Sequence, residues 1–184
     1  MSDIKSTAIE ATQAWVDRFV VALNLCPFAK HPLDQGRVRF VEYAGKDLAQ
    51  LSQTLLDEIE QLEGSEAIET TLLVVPEMLH DFEEYLDYLA GVEMLMEELG
   101  YTGTYQIASF HPDYVFEGVA PFDPANHTNR SPFPMLHIIR EASVEWAIES
   151  HPDIDAIPER NVELLRKMGV KGIAELISGK PHIV

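Results

Sequence analysis

The sequence predicts an α/β fold: a small three-stranded, mostly parallel sheet in β-α-β-α-β order, with helices on both faces. Three observations carry that expectation. Short runs rich in β-branched and aromatic residues, RVRFVEY at 37–43, TTLLVVP at 70–76 and YQIASF at 105–110, alternate with longer stretches whose apolar residues recur every three or four positions. The middle run is apolar nearly throughout and is stopped by Pro76, as expected of a central strand buried on both faces. Successive strands separated by helices favour parallel pairing through right-handed crossovers. A ferredoxin-like α+β sandwich is the alternative arrangement.

Taken in order, residues 6–24 predict an amphipathic helix, with Ala8, Ala11, Trp15, Phe19 and Leu23 at helical spacing and Pro27 beyond its end. The link CPFAKHPLDQG places Cys26 just past that helix. Alternation in 37–43 predicts an edge strand with one wet face. Leu48, Leu51, Leu55, Ile59 and Leu62 predict a helix over 47–63 with Gly64 as its C-terminal cap. Phe82, Tyr85, Leu89, Val92, Met96 and Leu99 predict a helix over 78–99 that Gly100 ends. After the strand at 105–110 come about twenty residues without periodicity, whose five prolines and Phe116, Phe122 and Phe133 predict a packed loop over one end of the sheet. A helix over 133–150 is then expected, with Met135, Ile138, Ile139, Ala142 and Trp146 as its core stripe. From Pro158 a further helix runs to Gly169, and a short helical turn covers 173–177.

At 184 residues, the chain is expected to form a single domain over 1–184. No apolar run approaches the roughly 20 residues of a membrane span, and the N-terminus lacks the basic and apolar regions of a secretory signal. With one cysteine, no internal disulfide forms, so a cytoplasmic location is expected. A net charge of −18 repels nucleic acid, and no phosphate-binding glycine loop, dinucleotide fingerprint, nucleophile-elbow serine or HExxH pattern occurs.

Chemistry is expected in Ser109–Glu141, which holds three of seven histidines and one isolated arginine. Between Lys46 and Arg130 there is no Lys or Arg, against eighteen Asp and Glu, so a cation there needs a local role. His111 and Asp113 lie at a strand's carboxyl end, where ligands of parallel sheets sit. His137 and Glu141, four apart, share a face of the expected helix and are candidates for an acid–base pair. Arg130, with Asn126 and Asn129 beside it, is suited to grip an anion at the helix start. The same residues fit a structural reading: a strand-capping histidine, a satisfied core pair and an ion-paired arginine. His111, His137 and Glu141 are also acceptable ligands for a divalent ion, the alternative to a metal-free site, and no other cofactor is indicated. Cys26, lacking a catalytic sequence around it, is only a neighbour of such a site.

The phrases NLCPFA at 24–29, ASFHPDYVFEG at 108–118 and NRSPFPMLHIIRE at 129–141 resemble a bacterial and plant family called domain of unknown function 1415, across the whole chain. The resemblance implies no reaction, substrate or cofactor. The residues alone point to a small-molecule enzyme in which His111, Asp113, His137 and Glu141 handle protons while Arg130 holds an anionic substrate. The alternative is a non-catalytic ligand- or metal-binding regulatory module.

Overall fold

The computed structural model describes residues 7–150 and 153–179. Its centre is a four-stranded mixed sheet in the order β1-β2-β4-β3. β1 (Val38–Glu42) pairs in parallel with β2 (Thr70–Val74), with Phe40 opposite Leu72. β4 (Met135–Arg140) lies antiparallel to both β2 and β3 (Tyr105–Phe110). The expected parallel run of three strands is therefore corrected. β1 is an edge and pairs in parallel with β2 as expected, but β3 is separated from β2 by a fourth strand running the other way.

That strand comes from residues assigned in the sequence to a helix over 133–150. MLHIIR suits either period, because apolar residues fill both the alternating and the three-to-four spacing. The gap between β2 and β3 decides it: both strands would otherwise bury unpaired backbone N–H and C=O groups. Ile138 and Ile139 favour the extended form. Only from Glu141 does the chain turn helical, and this helix barely packs: Ala147 is buried whereas Trp146, expected in the core, is 65% exposed.

Both faces carry helices. On one, α3 (Leu48–Gly64) and α4 (Phe82–Glu98) cover Leu73, Leu136 and Ile138 with Leu51, Leu55, Ile59, Tyr85 and Val92. On the other, α1 (Ala8–Trp15) and α6 (Ile157–Ile177) cover Leu72 and Met135 with Trp15, Phe19, Leu165 and Ile173. Alternation along β4 sends Met135 and His137 to the α1 face and Leu136 and Ile138 to the α4 face.

The element ends differ in instructive ways. The expected helix over 6–24 is α1, capped by Thr7 and Glu10, continued by a π-helical stretch Val16–Val21; Ser6 lies outside the described residues. The link after it contains a short helix, α2 (Lys30–Asp34). α3 ends inside Gly64 with Ser65 as cap, so Gly64 is not the left-handed stop expected of it. Gly100, at φ +77°, is such a stop for α4. α4 begins at Phe82 rather than Met78, because Asp81 caps the amides of Glu83 and Glu84. α5 (Glu141–Ser150) follows β4 directly, and α6 is kinked at Gly169, where two helical pieces were expected. No helix of the described residues is long and apolar enough to cross a membrane.

Candidate functional site

β3 delivers His111 to the carboxyl end of the sheet, where it is fully buried between the Tyr85 and Phe82 rings of α4. Its Nε2 is 3.0 Å from the Leu79 carbonyl and so donates, while Nδ1 accepts from the Asp113 amide at 3.0 Å. Both ring nitrogens are engaged, and the ring is neutral. Burial lowers its pKa, opposed by the Leu79 carbonyl and by the charges of Asp113 and Asp81. Leu79 holds φ +58°, a conformation that an apolar residue adopts only when its surroundings impose it. His111 thus ties the end of β3 to the loop between β2 and α4.

The following loop folds back on itself around two polar side chains. Asn126, fully buried in the 3-10 turn Pro124–Thr128, accepts from the Phe116 amide at 3.1 Å and donates to the Ala120 carbonyl at 2.8 Å. Arg130 donates from Nε to the Tyr114 carbonyl at 2.9 Å and from Nη2 to the Pro121 carbonyl at 2.6 Å. Asn129 donates to the Ser109 carbonyl at 3.0 Å. The residues expected to grip a substrate therefore grip backbone carbonyls of their own loop. From outside, Arg166 of α6 clamps Asp123 at 2.8 Å and holds its carboxyl below the usual range. His127 donates from Nδ1 to the Pro124 carbonyl at 3.2 Å; burial and the Arg130 charge lower its pKa.

His137 lies on the opposite face of the sheet from His111. Its ring is 6.2 Å from that of Phe110 on the α1 side, whereas His111 packs against α4. The Thr70 hydroxyl donates to the Ile138 carbonyl at 2.6 Å, so its oxygen accepts from His137 Nε2 at 2.7 Å. Burial pulls the His137 pKa down to about 4, although part of the residue still reaches solvent. Glu141 starts α5 beyond the far end of β4, its amide bonded to the Thr104 carbonyl, so it does not share a helix face with His137. Asp113 is exposed and meets His111 through its backbone. The structure brings His111, Asp113, Asn126, Asn129 and Arg130 into one loop, and leaves His137 and Glu141 outside it.

The alternative metal set of His111, His137 and Glu141 is separated by the sheet itself, and among the described residues no three His, Cys, Asp or Glu side chains are grouped to hold a metal. Cys26 is exposed as a residue, yet its thiol is desolvated enough to push its pKa up, against the amides of Phe28 and Ala29, which disfavours a thiolate nucleophile. The turn carrying it is held by Asn161 of α6, whose side chain donates to the Leu25 carbonyl at 2.7 Å.

A cavity of about 520 Å³ opens at the other end of the sheet, lined by Arg37, Leu62, Glu63, Glu66, Glu69 and Arg140. Arg37 precedes β1, Glu69 precedes β2 and Arg140 ends β4, so antiparallel β4 is what brings the second arginine to this end. Arg140 donates from Nη2 to the Leu62, Ser65 and Ile68 carbonyls and from Nη1 to the Tyr105 hydroxyl at 3.3 Å. Arg37 pairs with Glu69 at 2.8 Å, and Ser143 of α5 donates to the same carboxylate at 2.6 Å. Sequence reasoning missed this group. Its one local signal was charge placed immediately beside apolar strand runs, and with β4 read as helix nothing joined Arg140 to Arg37.

The family described as protein of unknown function (DUF1415) matches residues 7–175, and the chain belongs to that family. No curated protein and no solved structure matches the chain.

Proposed function

We propose that this member of the family is a non-catalytic ligand-binding module whose small-molecule ligand enters the cavity at the amino end of the sheet. The observation that carries the reading is the contrast in what is already engaged. Both nitrogens of His111, the Asn126 amide and two guanidinium nitrogens of Arg130 hold backbone groups of the protein itself, which suits a scaffold better than acid–base chemistry. The amino-end cavity, by contrast, has a volume in the range of small-molecule sites and charged groups converging on it. The enzyme reading, with His111 or His137 moving a proton and Arg130 holding an anion, is the alternative. It requires the loop to release those hydrogen bonds.

The test is a thermal-shift screen of small carboxylates, phosphates, amines and amino acids on the parent protein and on Glu66→Trp, which puts an indole in the cavity mouth. Stabilising compounds should lose their effect in Glu66→Trp, whose melting temperature without ligand should stay near that of the parent, because Glu66 is exposed. Compounds that still stabilise Glu66→Trp but not Arg130→Lys would place the ligand in the loop and reinstate the enzyme reading. No stabilisation by any compound would remove the ligand-binding reading.

A further inference from the structure

We infer that the α1 face of the sheet holds a second binding site, centred on His137, for a small neutral planar molecule that presents an N–H donor beside a carbonyl, as the edge of a cyclic amide does. The geometry starts from a proton whose position is fixed. The Thr70 hydroxyl donates to the Ile138 carbonyl at 2.6 Å and its oxygen takes the Nε2 proton of His137 at 2.7 Å, which holds the imidazole in one tautomer. Nδ1 is then an acceptor with a fixed aim. Burial, which lowers the pKa to about 4, keeps it unprotonated at neutral pH. Among the described residues nothing donates to it.

The two faces of the same strands are covered differently. Toward α4, Leu136 and Ile138 are fully buried, whereas on the α1 face Gln106, Ala108, His137 and Ile139 are only half-buried. α1 packs over β1 and β2, and α6 packs on the Pro124–Thr128 turn, so the amino half of the β3–β4 pair has no full cover among the described residues. Within that patch Ala108 stands directly opposite His137, and Gln106 lies diagonally at a spacing of about 7–8 Å. Ala108 is too small to fill the space over the strand pair, and the Gln106 carboxamide has no hydrogen-bond partner among the described residues. The Phe110 ring, 6.2 Å from that of His137, and Ile139 supply apolar flanks. Trp15, 5.7 Å from the same Phe110 ring, carries a buried indole N–H that also finds no acceptor. The loop after His111 is the reverse case, since His111, Asn126, Asn129 and Arg130 are all engaged there.

This donor and acceptor set selects the ligand. Nδ1 only accepts, because the imidazole proton is committed to Thr70, so a carboxylate or phosphate finds no donor at His137. Neither strand adds charge to this face: β3 has no charged residue, and the one in β4, Arg140, is turned to Leu62 and Tyr105 on the other side. A ligand N–H on Nδ1 and a neighbouring carbonyl on the Gln106 amide satisfy both free groups, while a flat ring lies over Ala108.

The probes are uracil, which has a ring N–H between two carbonyls, and N,N′-dimethyluracil, which keeps the ring and the carbonyls and has no N–H. Binding is read from the imidazole nitrogen resonances of protein labelled at histidine, those of His137 being the ones absent from His137→Gln. Uracil should shift the His137 Nδ1 resonance saturably and leave the other histidines in place, and dimethyluracil should not. Gln106→Ala should weaken uracil binding about fivefold, the effect of one neutral hydrogen bond. Glu66→Trp, at the amino-end cavity, should leave the uracil response unchanged, so this inference and the reading of that cavity fail separately. A response lost in Glu66→Trp moves uracil to the cavity and overturns the inference. Equal responses to both probes make the patch an apolar surface only, which overturns it too. If neither probe moves His137 Nδ1, the recess is closed by the chain itself or holds only water, and the site does not exist.

Discussion

The two ends of one sheet show opposite uses of polar residues. At the carboxyl end, His111, Asn126, Asn129 and Arg130 turn inward and satisfy backbone groups of a loop that has few regular hydrogen bonds of its own. At the amino end, the arginines also hold the fold together, but Glu63 and Glu66 face an open cavity. A polar residue at a strand end is therefore a weak sign of chemistry until its partners are known. In this chain the end richest in histidine and asparagine is the closed one, and roughly 17 Å of β3 separates it from the open one.

The largest effect that sharpens this contrast is expected from Asn126→Ala. It strands the Phe116 amide and the Ala120 carbonyl in a part-buried setting and empties the space of a fully buried side chain, which together cost about 3 kcal/mol, or roughly 6–12 °C in melting temperature. Chemical denaturation with an unchanged m-value checks it; a loss below about 1 kcal/mol means the loop does not depend on this side chain.

Next comes acid. The folded pKa of His137 is lowered to about 4 from an unfolded value near 6.5, so the unfolded chain binds the extra proton first and stability falls as pH drops from about 6.5 toward 4. Between those limits the loss is at most about 3 kcal/mol, less to the extent that the accessible part of the ring keeps its water. His111 is shifted in the same direction and adds to the slope. Denaturation midpoints measured from pH 7 to pH 4 should show the decline, and His137→Gln should flatten it; an equal slope in the variant would assign the effect to other groups.

Arg130→Lys is expected to be milder. Lysine keeps the charge but has no Nε–H to reach the Tyr114 carbonyl while another donor holds Pro121, so a loss of about 1–2 kcal/mol is expected, seen as a lower melting temperature with ligand-induced shifts unchanged. If that variant instead keeps its stability and loses a ligand's effect, the loop is the binding end and the contrast is reversed.

Much of the fold was legible in the chain. The runs at 37–43, 70–75 and 105–110 are β1, β2 and β3 to within a residue or two, and the leucine stripe of α3, the Gly100 stop of α4 and the break at Gly169 lie where periodicity and glycine place them. These are local properties: side-chain period and backbone freedom act within a few residues. The packed character of the loop after His111 was legible for the same reason, since prolines and phenylalanines restrict and anchor it. The identity of β4 was not, because MLHIIR satisfies both periods and only the open edges of β2 and β3 select the strand. That one choice relocates three side chains. It turns His137 to the α1 face, carries Glu141 past the end of the sheet and brings Arg140 beside Arg37. Sequence by itself determined which segments are helix or strand wherever a single period dominates, and which residues are polar enough to need partners. Tertiary structure alone decided which partners they found, because a hydrogen bond or ion pair across the sheet depends on strand order and direction, which non-local pairing sets.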